Sequence, residues 1–187
     1  HAGFEMKKVL LSHLELMGHE VVDKGPDHLD PTDDYPDFVA LVAEGVAEEG
    51  SDAMGIVIGG TGTGEAIEAN RLFGVRAAVY YGGPVEIIKL SREHNDANIL
   101  SLGARFISEE EAKRAVDLFL ETKFSGDERH KRRILKLDRL KLETLNVIKL
   151  TIKLVKEKKH IDIQEKIDFI DLYDESLYSE LLLGNNQ

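Results

Sequence analysis

Short apolar segments alternate with amphipathic segments from residue 4 to residue 122, and this alternation constrains the fold more than any other feature of the chain. Four short segments have the composition of strands: HEVVDKG, AMGIVIG, VRAAVYY and ANILSLGA. Segments with apolar residues at helical spacing flank them at residues 4–17, 37–50, 64–73, 84–95 and 108–122. Strands that alternate with helices through short connections predict an α/β fold with a mainly parallel sheet.

Specific residues mark two of the helix boundaries. Gly18 is expected to stop the first helical segment, and Ser108 followed by Glu111 has the pattern of a capping box. The chain enters on a helix, whereas a doubly wound sheet normally begins with a strand, so the expected first strand would precede His1. The predicted class is α/β: a three-layer, doubly wound (Rossmann-like), mainly parallel sheet without that first strand, plus a C-terminal helical extension.

The residue composition of the sequence changes after about residue 127. A lysine-rich amphipathic segment, RLKLETLNVIKLTIKLVKEKK, is followed by an acidic one, IDIQEKIDFIDLYDESLYSELLL. We expect residues 1–138 to form one domain and residues 139–187 a helical extension. The amphipathic pattern favours a helix that docks on the domain or joins subunits, although the basic and acidic segments could also pair with each other.

Composition excludes several classes of function. The formal net charge is -11, so a nucleic-acid-binding surface is not expected. The absence of cysteine excludes disulfides, a cysteine nucleophile and thiolate metal sites. No apolar run approaches the roughly 20 residues of a membrane span, and no secretory signal is recognisable, so a cytoplasmic location is expected.

The segment VIGGTGTGEAIEAN, residues 57–70, is the main candidate for a functional loop. A glycine-rich turn between a strand and a helix brings backbone N–H groups close to an anion. The loop lacks the lysine of a P-loop and the third glycine of a dinucleotide fingerprint, which disfavours a dinucleotide-dependent oxidoreductase. From the pattern alone it is either an anion-binding loop or a tight turn with Glu65 as a favourable acid in the first helical turn.

Five motifs carry a family resemblance. HAGFEMKK, DYPDF, GGTGTGEAIEAN, SREHNDANILSLGAR and GDERHKRR follow one another from His1 to about Leu137. Together they resemble the ribose-5-phosphate isomerase type B family, which includes the galactose-6-phosphate isomerase subunits. The resemblance implies an aldose–ketose isomerase of the pentose phosphate pathway that interconverts D-ribose 5-phosphate and D-ribulose 5-phosphate. The proton moves between C1 and C2 through an enediolate, with no metal or organic cofactor.

The resemblance also assigns catalytic roles. Many members carry a cysteine base at the head of the glycine loop, where this chain has Gly59, whereas a second branch uses a glutamate directly after the loop, which Glu65 matches. Thr61 matches the hydroxyl that moves a proton between the two sugar oxygens, and His94 matches the histidine that opens the furanose ring.

Substrate binding is assigned in the same way. The implied set comprises the anion hole at Gly62 and Gly64, a contact from Asn95, and phosphate-site residues His1, Arg105, Arg129 and Arg133. Arg129 and Arg133 are four residues apart, which places them on one face of a helix, and two guanidinium groups can bind a phosphate through forked hydrogen bonds. His130 and Tyr35 match positions near the pocket.

The family's active site lies between two subunits, so the resemblance implies a homodimer or tetramer. This chain departs from the family pattern in two respects. The family begins with a strand that ends in an aspartate before the HAGF match, and residues from 139 onward have no recognised counterpart. Two alternatives remain: an isomerase of a six- or four-carbon sugar phosphate, or a sugar-phosphate-binding subunit without catalysis.

Overall fold

The computed structural model describes residues 1–49 and 53–138, which contain three parallel strands and six helices. The elements in chain order are α1 (Phe4–Leu16), α2 (Tyr35–Glu49), β1 (Gly55–Gly59), α3 (Thr63–Ala69), β2 (Ala77–Tyr80), α4 (Glu86–Asn95), β3 (Ile99–Gly103), α5 (Glu109–Glu121) and α6 (residues 128–138). The predicted alternation of helices and strands is confirmed from α2 onward.

The sheet has the strand order β1–β3–β2, and both pairs are parallel. All five residues of β3 are buried, because the central strand is covered on both faces. Gly59 is paired with Gly103 at the carboxyl ends of β1 and β3. These two strand ends therefore open onto the same edge of the sheet, where ligands bind in open α/β folds.

Two hydrophobic clusters cover the two faces of the sheet. Side chains alternate along β3, so that Leu100 and Leu102 join the cluster with α1, α4 and α5, whereas Ile99 joins the cluster with α2 and α3. The structure is therefore a three-layer, Rossmann-like α/β arrangement, as predicted.

Both predicted helix boundaries are confirmed. Gly18 has a φ of +85° directly after the end of α1, a conformation that glycine adopts without steric cost. Ser108 caps α5: its hydroxyl accepts a hydrogen bond from the Glu111 N–H, and the Glu111 carboxylate accepts one from the Ser108 N–H. This capping box satisfies two backbone donors at the start of the helix.

The strand predicted at residues 19–25 is wrong, since the segment has no strand assignment. A strand forms only beside a hydrogen-bonding partner, and no strand of the described residues is paired with this segment. It is fixed by side chains instead. The Lys7 ammonium donates to the Asp23 carboxylate, at 2.8 Å, and to the Pro26 carbonyl, at 2.6 Å, while Val21 packs against the first cluster.

The helix predicted to reach residue 73 ends earlier, at Ala69. The Asn70 side chain donates to the Ala77 carbonyl and accepts from the Ala77 N–H, at 3.0 and 2.8 Å. This pair of bonds gives the chain an alternative to continued helix and fixes the start of β2. The predicted extension at residues 139–187 lies outside the described residues, and within those that are described no helix is long and apolar enough to span a membrane.

Candidate active site

A cavity of about 360 Å³ opens at the carboxyl ends of β1 and β3. The loops after these strands are joined by backbone hydrogen bonds, from Ala104 to the Gly59 carbonyl at 2.8 Å and from Arg105 to the Gly60 carbonyl at 3.2 Å. The parallel register thus fixes both loops against each other. The residues that line the cavity are His1, Ala2, Asp33, Tyr35, Ile58, Gly59, Gly60, Thr61, Gly64, Glu65 and Arg105.

Glu65 lies in the first turn of α3 and turns its carboxylate back over the end of β1. A Cβ at position 59 would overlap the carboxylate of Glu65. Only glycine leaves space at the head of the loop for this carboxylate. The Glu65 residue is 6% exposed, yet it lines the cavity, so the group can reach a ligand while most of the side chain is packed. A carboxylate in this position can accept a proton from a bound molecule.

The loop that precedes Glu65 depends on Gly62 and on a buried hydroxyl. Gly62 caps α3 with a φ of +74°, and its carbonyl accepts hydrogen bonds from the Ala66 N–H and from the Ser101 hydroxyl, at 3.0 and 2.6 Å. The Thr61 hydroxyl accepts from the Thr63 N–H at 3.2 Å and lines the cavity. Sequence reasoning missed Ser101, although a serine in the otherwise apolar strand ILSLG was a usable signal.

Asp33, in the loop before α2, and Tyr35, the first residue of α2, complete one wall. A Cβ at Gly64 would lie 2.6 Å from the Tyr35 hydroxyl, so Tyr35 sits directly over the start of α3. Asp33 approaches His1, with 3.3 Å between its carboxylate and the imidazole Nδ1. Asp33 was not predicted, because an aspartate in a loop rich in aspartate carries no distinctive pattern.

Arg105 supplies positive charge to the cavity. Its guanidinium lies 3.4 Å from the position a Cβ would take at Gly60, and the residue is exposed. A guanidinium presents several donors in a fixed plane and binds phosphate oxygens well. The cavity therefore combines a carboxylate, a hydroxyl and a cation within one concave surface.

A second cluster joins the end of α4 to α6. His94, in the last turn of α4, stacks on His130, with ring centroids 4.3 Å apart and an interplanar angle of 11°. The Arg129 Nε donates to His130 Nε2 at 3.1 Å. His130 is buried, and burial, followed by the nearby His94 and Arg129, lowers the pKa of its imidazole. A lowered pKa favours the neutral imidazole, in which Nε2 can accept this bond.

The structure divides the predicted site residues between two places. His1, Thr61, Gly64, Glu65 and Arg105 line the cavity, and Gly62 shapes its loop. The remaining predicted residues do not line it: His94 and Asn95 end α4, and Arg129 and Arg133 lie on α6.

Residues 1–137 match the family model described as Ribose/Galactose Isomerase. Among curated relatives, the probable ribose-5-phosphate isomerase B of Mycoplasma genitalium is 42% identical over 144 residues, covering 77% of this chain and 93% of that protein. The ribose-5-phosphate isomerase B of Mycobacterium tuberculosis is 43% identical over 135 residues, covering 72% and 81%.

Solved structures give the same result. The crystal structure of ribose-5-phosphate isomerase B from Mycoplasma genitalium with bound ribulose-5-phosphate has a TM-score of 0.73 and 41% identity, covering 76% of this chain and 92% of that one. The Clostridium thermocellum ribose-5-phosphate isomerase B has a TM-score of 0.71 and 41% identity, covering 77% and 94%. These values confirm the fold and the resemblance carried by the five motifs.

Proposed function

This chain belongs to the ribose/galactose isomerase family, and we propose that it interconverts D-ribose 5-phosphate and D-ribulose 5-phosphate. The observation that carries the proposal is the Glu65 carboxylate, which lies over Gly59 inside a cavity that also contains the Thr61 hydroxyl and the Arg105 guanidinium. An aldose–ketose isomerase needs a base at carbon, a group that moves a proton between oxygens, and a site for the phosphate.

In this proposal Glu65 removes the proton from C2 of the acyclic aldose. The electron pair of the broken C–H bond forms the C1–C2 double bond of an enediolate, and the C1 oxygen takes up the charge of the former carbonyl. Thr61 moves a proton from the C2 oxygen to the C1 oxygen, and Glu65 returns its proton to C1. The aldehyde carbon is thereby reduced and C2 oxidised within one molecule. Backbone N–H groups of the loop at Gly62 and Gly64 stabilise the charged oxygen.

A complete site would need a second subunit. His94, Asn95, Arg129 and Arg133 are assigned to ring opening and substrate binding by the family resemblance, yet they do not line the cavity that contains Glu65. We therefore propose a homodimer, alone or paired into a tetramer, in which each chain supplies these residues to its partner's cavity. The phosphate then lies between Arg105 of one chain and the α6 arginines of the other.

A pentose phosphate is the first candidate substrate because the curated relatives and solved neighbours cited above are named ribose-5-phosphate isomerase B. The family description also names galactose, so a six-carbon substrate is the second candidate. The pentose proposal places the protein in the pentose phosphate pathway, in the cytoplasm.

The first experiment measures isomerisation of ribose 5-phosphate by the wild type and by Glu65→Gln. The amide keeps the shape of the side chain but cannot accept the proton, so kcat should fall about 10²-fold or more with KM little changed. Glu68→Gln is the matched control, since Glu68 lies on the same helix, pairs with Arg71 and does not line the cavity. Equal rates for Glu65→Gln and wild type would show that the base is another residue.

A mixing experiment tests the shared site. At substrate concentrations well below KM, Glu65→Gln and Arg129→Met should each have little activity alone, but a heterodimer of the two contains one site in which both residues are intact. Random exchange of subunits should then recover about a quarter of the wild-type activity. If differently tagged heterodimers form and no activity returns, Glu65 and Arg129 act within the same chain.

A further inference from the structure

The turn that follows His94 has an unusual backbone conformation. Asp96 caps the carboxyl end of α4 with a φ of +47°, and it is the one non-glycine residue of the described chain with a positive φ. Side chains other than glycine are strained in this region, although aspartate and asparagine tolerate it better than most. Such a conformation persists only where the surrounding contacts hold it.

Two arginines hold the Asp96 carboxylate from different parts of the chain. Arg76, which precedes β2, donates from Nη2 to one oxygen at 2.8 Å. Arg92, buried on α4, donates from Nη1 to the other oxygen at 3.1 Å. Each oxygen of Asp96 therefore has its own cationic partner. Hydrogen bonds between charged partners are among the stronger ones in proteins.

The same arginines also bind backbone carbonyls, in the turn itself and in a segment distant in sequence. The Arg76 Nε donates to the carbonyls of Asn95 and Asp96, at 3.0 and 2.8 Å, and the Arg92 Nε donates to the Thr122 carbonyl at 3.1 Å. The last turn of α4 is thereby tied to the start of β2 and to the segment that follows α5. Arg76 directly precedes β2, and Thr122 caps the carboxyl end of α5.

His94 lies in this anchored turn, two residues before Asp96. We propose that Asp96 is a positioning residue for His94: its carboxylate, held by Arg76 and Arg92, fixes the end of α4 and so the place at which the imidazole meets the sugar ring. The inference rests on the proposed function, in which His94 opens the furanose. Proton transfer to a ring oxygen requires hydrogen-bond geometry, and a displacement of about 1 Å can cost on the order of 10²-fold in rate.

The chemistry of the two substrates separates this role from a merely structural one. Ribose 5-phosphate is a furanose, closed by its C4 oxygen on C1, and must be opened before Glu65 can act. Ribulose 5-phosphate cannot close a furanose, because the oxygen required is the one that carries the phosphate. Removal of a C1 hydrogen from ribulose 5-phosphate therefore needs Glu65 but no ring opening.

The test compares two rates for Asp96→Asn, which keeps the tolerance for positive φ but loses the charge that pairs with both arginines. One rate is isomerisation of ribose 5-phosphate; the other is loss of the C1-hydrogen NMR signal of ribulose 5-phosphate in D2O. The rate of isomerisation should fall at least about 10-fold, while the rate of C1-hydrogen loss should stay within about twofold of the wild-type rate. His94→Asn should show the same separation, and the control Glu93→Gln, whose carboxylate pairs with Lys89 on the same helix, should show none.

A second variant keeps the proposal testable if Asp96→Asn folds poorly. Asp96→Gly relieves the backbone strain and still removes both arginine contacts, so the same separation of rates is expected. Equal losses of both rates, or no loss of either, would overturn the positioning role. Failure of the proposed function looks different: the wild type would not turn over ribose 5-phosphate, or Glu65→Gln would retain the full rate of C1-hydrogen loss.

Discussion

The imidazole rings of His94 and His130 lie parallel, with centroids 4.3 Å apart, and this stack joins the end of α4 to α6. His130 also accepts a hydrogen bond from Arg129. One buried ring therefore supports two side chains to which the family resemblance assigns different tasks, ring opening by His94 and phosphate binding by Arg129. A change at His130 that disturbs the stack should therefore affect ring opening, and one that removes the acceptor should affect phosphate binding, without removal of either reacting group.

His130→Phe should weaken binding of ribose 5-phosphate. The phenyl ring can keep the stack with His94, but it offers no acceptor to the Arg129 Nε. Loss of a hydrogen bond to a charged group should raise KM about 10-fold, with kcat nearly unchanged. His28→Phe, at an exposed histidine that pairs only with its neighbour Asp27 in the described structure, is the control. A fall in kcat at constant KM would contradict this role for His130.

The contribution of His130 to the stability of the protein should fall as the pH is lowered below about 6.5. Burial, His94, Arg129 and Arg133 lower the pKa of His130 from its usual 6.5, and Asp127 opposes them only in part. In the unfolded chain the imidazole gains a proton at a higher pH than in the folded one, so protons favour unfolding in this window. Between pH 7.5 and pH 5, the urea midpoint of the wild type should therefore fall relative to that of His130→Phe. Equal slopes for the two proteins would assign the pH dependence to other groups.

The parts of the fold that follow from periodicity and turn chemistry were predictable from the sequence. Apolar runs located β1, β2 and β3, and the spacing of Ser108 and Glu111 located the start of α5. Residues 19–25 have the composition of a strand, but composition does not supply a neighbour, and here side chains of α1 fix the segment instead.

The candidate site was predictable where a motif carries it, as at Glu65 and the glycine loop. The supporting contacts were not, since they join residues distant in sequence. The Ser101 hydroxyl meets the Gly62 carbonyl across 39 positions, and Arg76 meets Asp96 across 20. Such contacts depend on the register of the sheet and on the path of the turns, which local patterns do not encode.

Arg105→Met should reduce affinity for the phosphate. The methionine side chain keeps much of the packing but removes the one cationic guanidinium among the described residues that line the cavity. Loss of a charge-assisted contact should raise KM for ribose 5-phosphate by about 10- to 100-fold, and inorganic phosphate should inhibit the variant correspondingly less.

The control for this change is Arg114→Met, because Arg114 is exposed on α5 and does not line the cavity. If both arginine variants raise KM to the same extent, the effect comes from net charge and long-range attraction rather than from a contact in the cavity. Measurements at low and high salt would separate these causes further, since screening weakens only the long-range part.

Gly59→Ala should destabilise the fold through Glu65. An added Cβ would overlap the Glu65 carboxylate, and neither group can move freely, because Gly59 is paired with Gly103 in the sheet and Glu65 is buried. Overpacking of this kind costs about 1–3 kcal/mol of unfolding free energy. In a Glu65→Ala background the overlapping group is absent, so the same substitution should cost at least about 1 kcal/mol less.

The coupling between these two substitutions is measured by urea unfolding of the wild type, both single variants and the double variant. Gly60→Ala is the matched control, because its Cβ would meet only the exposed Arg105 side chain, at 3.4 Å, and its cost should not depend on Glu65.

The expected coupling means that a side chain at the head of the loop and the Glu65 carboxylate compete for one volume. A protein of this family can then place its base at one of the two positions but not at both. If Gly59→Ala costs the same with and without Glu65, the two groups do not share that volume, and the glycine at position 59 needs another explanation.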